Sequence, residues 1–247
     1  MTQEPARIRA LLKSWKPPGR NVLEEFGQLI RARVVRHEDT YEYETKMEVR
    51  DALPTPEENL RRIVAAAGSA PGCAFFPLVH SSVMTPEYWT DGDVEFSNFR
   101  YEDRALQKIK VHGVLDVGSP VRVMKSREEF AYDPVTMARN TVGLQRVGKL
   151  CKRRSKTWIH HFPSGTVHSL AVTCCTAGES RQDQAEIEYA GHVLPLGSGI
   201  APAGEEDIVA ALVAVTEEVA AANPDTLAPH TQTKLAFLRA ALGSTTP

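Results

Sequence analysis

Two short stretches, far apart in the chain, each set two carboxylates two residues apart. The first is Glu42-Tyr43-Glu44-Thr45-Lys46 and the second is Gln184-Ala185-Glu186-Ile187-Glu188. In an extended strand, side chains at i, i+2 and i+4 share one face. Glu42, Glu44 and Lys46 therefore project together, as do Glu186 and Glu188. Crowded carboxylates repel unless a cation lies between them or a proton is retained, and Mg2+ or Mn2+ takes such oxygen ligands. Either pair alone reads more simply as the wet face of an antiparallel sheet. A third stretch, LCKRRSKTW (150–158), shifts that balance. Lys152, Arg154 and Lys156 alternate onto one face with Arg153 on the other, and a one-residue slip would turn Arg153 inward instead. Facing water, these cations make an ordinary strand edge. Facing inward, they must meet anions. Four glutamates are too few for so many cations, with Arg122, Lys125, Arg146 and Lys149 nearby in sequence. A polyphosphate would complete the balance, because Lys and Arg bind phosphate oxygens through charge-assisted hydrogen bonds.

Strands must hold these faces. Tyr41, Tyr43, Thr45, Met47 and Val49 alternate with Glu42, Glu44, Lys46 and Glu48, a period of two rich in strand formers. Similar runs cover 106–117, 120–126, 150–162, 165–175 and 184–196. Residues 73–80 form a weaker strand interrupted by Pro77, and 84–104 read as a loop or irregular hairpin. Helical patterns bracket the strands. A short helix over 6–15 stops at Pro17-Pro18-Gly19, and another spans 21–34 with Asn21 as N-cap. Thr55, Pro56, Glu57 and Glu58 open a helix that ends near Gly68. Glu205, Glu206 and Asp207 open the longest helix, stopped by Asn223-Pro224, and a short one covers 233–242. About seven or eight strands with helices at both ends predict an α+β chain whose antiparallel barrel or sandwich is flanked by helices.

The composition is that of an ordinary globular chain. Of 247 residues, 42% are hydrophobic and 24% charged, with a net charge of -2. That excludes a bulk polycation, so nucleic-acid contact has to come from a local basic patch. Cys73, Cys151, Cys174 and Cys175 make no C-x-x-C pair, so a reducing compartment, nucleus or cytosol, is expected. The first twenty residues lack the apolar core of a secretory signal, and no run is long enough to span a membrane. Gly143 to Lys149 copies the first part of a phosphate-binding loop but fails at Leu150, where Ser or Thr should follow. His160-His161 and Cys174-Cys175 have no zinc-ligand spacing and read as core or surface. Trp15, Trp89 and Trp158 read as buried before they read as base-stacking groups.

The constellation resembles the triphosphate tunnel metalloenzymes. Their hallmark E-x-E-x-K strand is found as Glu42 to Lys46, the late acidic strand as Gln184 to Glu188, and basic strands lie between, over about Tyr41 to Leu194. Within that superfamily the chain is similar to the metal-dependent mRNA-capping RNA triphosphatases of fungi and protozoa, with QAEIEYAG, VRVMKSREE and LCKRRSKTW matching their late acidic, middle and basic strands. The resemblance implies one tunnel domain over 1–247: an eight-stranded closed antiparallel barrel at about 40–195, helices at 5–35 before it and at 204–242 after. It implies hydrolysis of the γ-phosphate from nascent 5′-triphosphate RNA, with a guanylyltransferase as partner and no membrane. Glu42, Glu44 and Glu188 would hold Mn2+ or Mg2+, Glu186 would hold or activate water, and Lys46, Arg122, Lys152, Arg154 and Lys156 would clamp phosphates. Two departures stand out. Gln184 replaces a third acid, and the preceding strand offers His168, Ser169 and Thr173 where relatives carry an aspartate. The alternatives are a tripolyphosphate or thiamine triphosphate hydrolase, a non-catalytic polyphosphate- or RNA-binding barrel, and a plain helix-flanked β domain with charged outer strands.

Overall fold

The computed structural model describes residues 3–16, 21–36, 41–77, 79–92, 94–100, 105–115, 117–197 and 204–243. The expected helix stop at Pro17-Pro18-Gly19 lies outside these residues. From the N-terminus come α1 (Gln3–Ser14), α2 (Val22–Ile30), β1 (Ala32–Val35), β2 (Tyr41–Val49) and α3 (Pro56–Ala67). Then follow β3 (Cys73–Phe75), β4 (His80–Met84), β5 (Glu87–Asp91), β6 (Val94–Arg100), β7 (Ala105–Leu115), β8 (Val123–Ala131) and α4 (Pro134–Asn140). The chain continues through β9 (Gln145–Lys149), β10 (Cys151–His161), β11 (Thr166–Ala177), β12 (Ser180–Pro195), α5 (Glu205–Ala221), β13 (Leu227–His230) and α6 (Lys234–Gly243). Among the described residues no helix is long and apolar enough to cross a membrane.

All the strands join one antiparallel sheet in the order β3-β10-β11-β12-β2-β8-β7-β6-β5-β9, with β4 also on β10, β1 on β12 and β13 on β2. The path begins at β3 and ends at β9, so the expected closed eight-stranded barrel is replaced by an open, curled thirteen-stranded sheet. The cause is local. Thr85-Pro86 divides β4 from β5, and Leu150 divides β9 from β10. Proline has no N–H to donate and restricts the residue before it. β4 pairs with β10 and β5 with β9, and the Leu150 N–H donating to the Pro86 carbonyl at 3.1 Å bridges the interruption.

Alternation gives every central strand two faces. On β2, Tyr43, Met47 and Val49 turn outward into a core with Leu60 and Ile63 of α3 and Ile208, Leu212 and Val215 of α5. Leu170 and Ile187 from β11 and β12 complete it. α3 starts where its cap directs: the Thr55 hydroxyl accepts from the Glu58 N–H at 3.2 Å, and the Glu58 carboxylate accepts from the Thr55 N–H at 3.0 Å. α1 and α2 cover a second cluster around Phe26, Phe76 and Val167.

Two expectations change. The helix expected over 21–34 stops at Ile30, Arg31 takes a left-handed φ of 58°, and Ala32–Val35 pairs with β12. Val34 and Val35 suit a strand, and Gly191 makes the approach possible, since a Cβ there would meet Val34 Cγ1 at 2.8 Å. Within 84–104, the irregular hairpin proves a paired one, β5 with β6. α6 packs Leu235 and Leu238 on Tyr88, Leu150 and Cys175. Tyr88 and Cys175 are cross-strand partners of Ser97 and Lys152, so α6 covers one end of the concave face. Ile187, fully buried between that face and α5, is the test of the core. Ile187→Ala should lose roughly 2–5 kcal/mol in a urea unfolding titration, whereas exposed Val142→Ser should stay within about 0.5 kcal/mol of the parent.

Candidate functional site

The curled sheet encloses a cavity of about 240 Å3 on its concave side. The register of the strands delivers its walls. Glu44 lies opposite Glu188 and Lys46 opposite Glu186 on the β2–β12 ladder. Glu42 faces Ser126 on β8, and Lys110 faces Glu128 across β7–β8. Cross-strand partners share a face, so acids and bases interleave on the same surface. Glu44, Lys46 and Glu186 are 3%, 6% and 4% exposed. Burial at this depth requires compensation for each charge.

The compensation is a network of ion pairs. Lys46 Nζ lies 3.1 Å from Glu44 Oε1 and donates to Glu186 Oε1 at 3.2 Å. Lys234, at the start of α6, donates to the same Glu186 oxygen. Lys110 donates to Glu42 and lies 2.9 Å from Glu128, while Lys108 sits 3.6 Å from Glu42 and also pairs with Glu128. His112 Nε2 is 3.4 Å from Glu95, and its Nδ1 is 2.9 Å from the Ser126 hydroxyl. At the far side, Arg154 lies 3.8 Å from Glu188, which accepts from the Ser169 hydroxyl at 3.3 Å.

These contacts set the protonation states. Burial works to raise Glu42, but Lys110 and then Lys108 outweigh it and hold the carboxyl well below its usual range. Burial likewise opposes, and Lys234, Lys46 and Arg154 prevail, at Glu186. Burial would lower Lys46, yet Glu44 and Glu186 raise it above an ordinary lysine. Glu128 is pushed up to about 7 by burial and by its hydrogen bond with Glu42. Lys152 goes the other way, down to about 7, through burial and the neighbouring Lys234.

The cavity wall carries Glu42, Glu44, Glu95 and Glu186 against Lys46, Lys108, Lys110, Lys152, Arg154 and Lys234. Glu128, paired with Lys108 and Lys110, and Glu188, beside Arg154, bring six carboxylates against these six cations, and among the described residues the buried Arg154 Nε and Thr173 hydroxyl have no hydrogen-bond partner. A buried donor without an acceptor costs free energy unless water or a ligand supplies one.

Of the residues singled out in the sequence, Glu42, Glu44, Lys46, Lys152, Arg154 and Glu186 border this cavity. Glu188 and Lys156 stand beside it on the same strand faces, and burial holds the Lys156 ammonium below its usual value. Arg153 is exposed, so β10 has the register that points Arg154 inward. Arg122 does not join the clamp: it precedes β8, is exposed, and lies off the cavity wall. Gln184 is buried and donates to the Gln232 carbonyl at 2.7 Å, which ties the third acidic position to the α6 linker. Missed in the sequence were Lys108, Lys110, His112, Glu95, Glu128 and Lys234. The alternation of Lys108, Lys110 and His112 against Ile109 and Val111 carried the same signal as β2; nothing local marks Lys234. His160, His161, Cys174 and Cys175 are buried, and Gly143 to Lys149 forms a turn and strand with no helix after it.

Carboxylate oxygens are the donor type Mg2+ and Mn2+ take. Among the described residues, however, no three His, Cys, Asp or Glu side chains converge on one point. Glu42 is turned to Lys108 and Lys110, Glu44 to Lys46, and Glu188 to Arg154.

No protein-family model matches the chain, and no curated protein matches it. Solved structures that resemble it include a conserved hypothetical protein from Pyrococcus furiosus, with a TM-score of 0.46 and 12% identity over 79% of this chain and 99% of that one. A putative adenylate cyclase from Bacillus halodurans gives 0.42 and 13%, over 78% and 94%. The S. pombe Pct1 RNA triphosphatase gives 0.32 and 14%, over 61% and 71%. Similarity at this level establishes neither family nor activity.

Lys152 allows a test of the site's charge. Its folded pKa of about 7 lies below the unfolded value of 10.5. Below pH 7 the buried ammonium is a full penalty, and stability recovers as pH rises from 7 towards 10.5, where only the unfolded chain holds the proton. Lys152→Met should therefore melt higher than the parent by calorimetry at pH 6, with the gain shrinking by pH 9.5, while its affinity for tripolyphosphate falls.

Proposed function

We propose that the chain is a metal-dependent polynucleotide 5′-triphosphatase that removes the γ-phosphate from triphosphate-ended RNA. The observation that supports it is a buried cavity rich in cations in which Lys152 has no carboxylate partner among the described ion pairs and, among the described residues, Arg154 Nε has no acceptor. A row of phosphates supplies several negative charges in one molecule and can meet cations on β2, β7, β10 and α6 together.

In the proposed reaction, water attacks the γ-phosphorus and the bond to the β–γ bridging oxygen breaks. The electron pair leaves on the β-phosphate, and the water's proton passes to solvent. The products are inorganic phosphate and diphosphate-ended RNA, the substrate of a guanylyltransferase. Lys46, Lys152, Arg154 and Lys156 meet the charge that spreads over the phosphoryl oxygens, and Lys110 and Lys234 extend that set. Glu186 is held anionic by Lys234 and Lys46, so it serves as a hydrogen-bond acceptor that orients the water. A carboxylate with a strongly lowered pKa is a weak proton acceptor. Glu42, Glu44 and Glu188 would hold Mn2+ or Mg2+ in exchange for their present cationic partners, and the ion would supply further neutralisation of phosphate oxygens.

The test is phosphate release from γ-labelled triphosphate RNA with Mn2+ or Mg2+. Glu42→Ala and Glu188→Ala should each reduce turnover by about 100-fold or more. Turnover that survives both changes ends the proposal. Faster hydrolysis of inorganic tripolyphosphate than of RNA would reassign the substrate, and binding without turnover under either metal would make the chain a binding module.

A further inference from the structure

Phe130 borders the cavity and Tyr132 lies beside it, two aromatic rings that phosphate binding does not use. Phe130 is 43% exposed and Tyr132 68%. Their ring centres are 6.4 Å apart and their planes inclined by only 22°. Phe130 borders the cavity and is the cross-strand partner of Lys108, whose ammonium stands 5.9 Å from the ring centre. The same ammonium is 3.6 Å from Glu42, inside the charge network. The placement follows from alternation. Ser126, Glu128 and Phe130 share the concave face of β8, and Tyr132 keeps the same parity one residue past the strand's end. Two nearly parallel rings exposed to water, one of them bordering a charged pocket, make a candidate binding surface.

We propose that Phe130 and Tyr132 form a stacking platform for the nucleobase of the 5′-terminal nucleotide whose phosphates enter the cavity. The proposal rests on the anion-binding reading of the cavity and adds a ring-binding subsite to it. Its chemistry is continuous: the ammonium over the Phe130 ring meets phosphate, and the exposed aromatic surface of Phe130 and Tyr132 meets a planar base. Base–aromatic stacking tolerates any sequence, because every base has a π-face. A cavity with cations alone would take inorganic polyphosphate and nucleotide equally; the platform makes it prefer the nucleotide. Lys108 fixes which end of the ligand lies outward, since it is the network cation next to Phe130.

The experiment measures dissociation constants by calorimetry for a triphosphate-ended dinucleotide and for inorganic tripolyphosphate, at fixed salt. Tyr132→Ser sits past the strand in an exposed position, and Phe130→Leu keeps an apolar side chain at the rim. Each should weaken the dinucleotide by about 5- to 100-fold and leave tripolyphosphate within twofold. Tyr132→Trp should restore dinucleotide binding. Equal weakening of both ligands, or no weakening of either, overturns the platform while leaving the anion site standing. Failure of the unaltered chain to bind either ligand overturns both readings.

Discussion

Lys46, fixed between Glu44 and Glu186, is the interaction on which the rest of the structure depends. Three charged side chains on two neighbouring strands are nearly removed from water. Taking a carboxylate or ammonium out of water costs several kcal/mol even after relaxation, so none of the three is tolerable without the others. The triad forces β2 beside β12 in one register. A slip of a single residue would bury Tyr43 and Thr45 in the cavity and turn Glu44 and Lys46 into the core under α5. Either change leaves a buried charge with nothing to meet.

The outer faces of the same strands make that register cheap to hold. Tyr43 donates its hydroxyl to Glu205 at 2.8 Å, and Thr45 meets Thr216 of α5 at 2.8 Å, hydroxyl to hydroxyl. Met47, Leu170 and Ile187 fill the apolar space between. The hydrophobic core and the charged cavity are thus two sides of one period-two pattern. α5 and α3 secure one side and α6, through Lys234 and Leu238, secures the other. The helices are therefore part of the site's support rather than decoration around it.

That pattern decides what could be read from sequence. β2 and the 184–188 segment of β12 were legible because polar and apolar residues alternate there, β10 because Lys152, Arg154 and Lys156 recur at every second position, and α3 because Thr55, Pro56 and Glu58 state its start. β7 carried equally regular alternation, yet Lys108, Lys110 and His112 have no acid within their own strand to suggest a site. Their partners, Glu42, Glu95 and Glu128, come from three other strands. Lys234 and the end-covering role of α6 are tertiary facts without a local mark. The open sheet was missed for another reason: a barrel was counted by strands, while Pro86 and Leu150 break two of them at the same level. Arg122 was assigned from a likeness of strands, but β8 begins one residue after it.

The network also constrains how any ligand enters. Glu42, Glu44 and Glu186 on the cavity wall each already meet a lysine, and most of the cations already have a carboxylate. An arriving phosphate chain must draw Lys108, Lys110 or Lys46 away from Glu42, Glu128 or Glu44. Each carboxylate so released would be buried without a counter-charge, which the interior penalises. Lys152 and Arg154 are the exceptions. Lys152 has no carboxylate partner among the described ion pairs, and Arg154 reaches Glu188 only at 3.8 Å with its Nε free. A polyanion would therefore contact β10 first, at little electrostatic cost, and reach the β7 lysines only if it brings cationic charge of its own to replace them on Glu42 and Glu128. Under the proposed function, phosphate and a divalent cation would be mutually dependent ligands of this cavity, each making room for the other by taking over half of an existing ion pair.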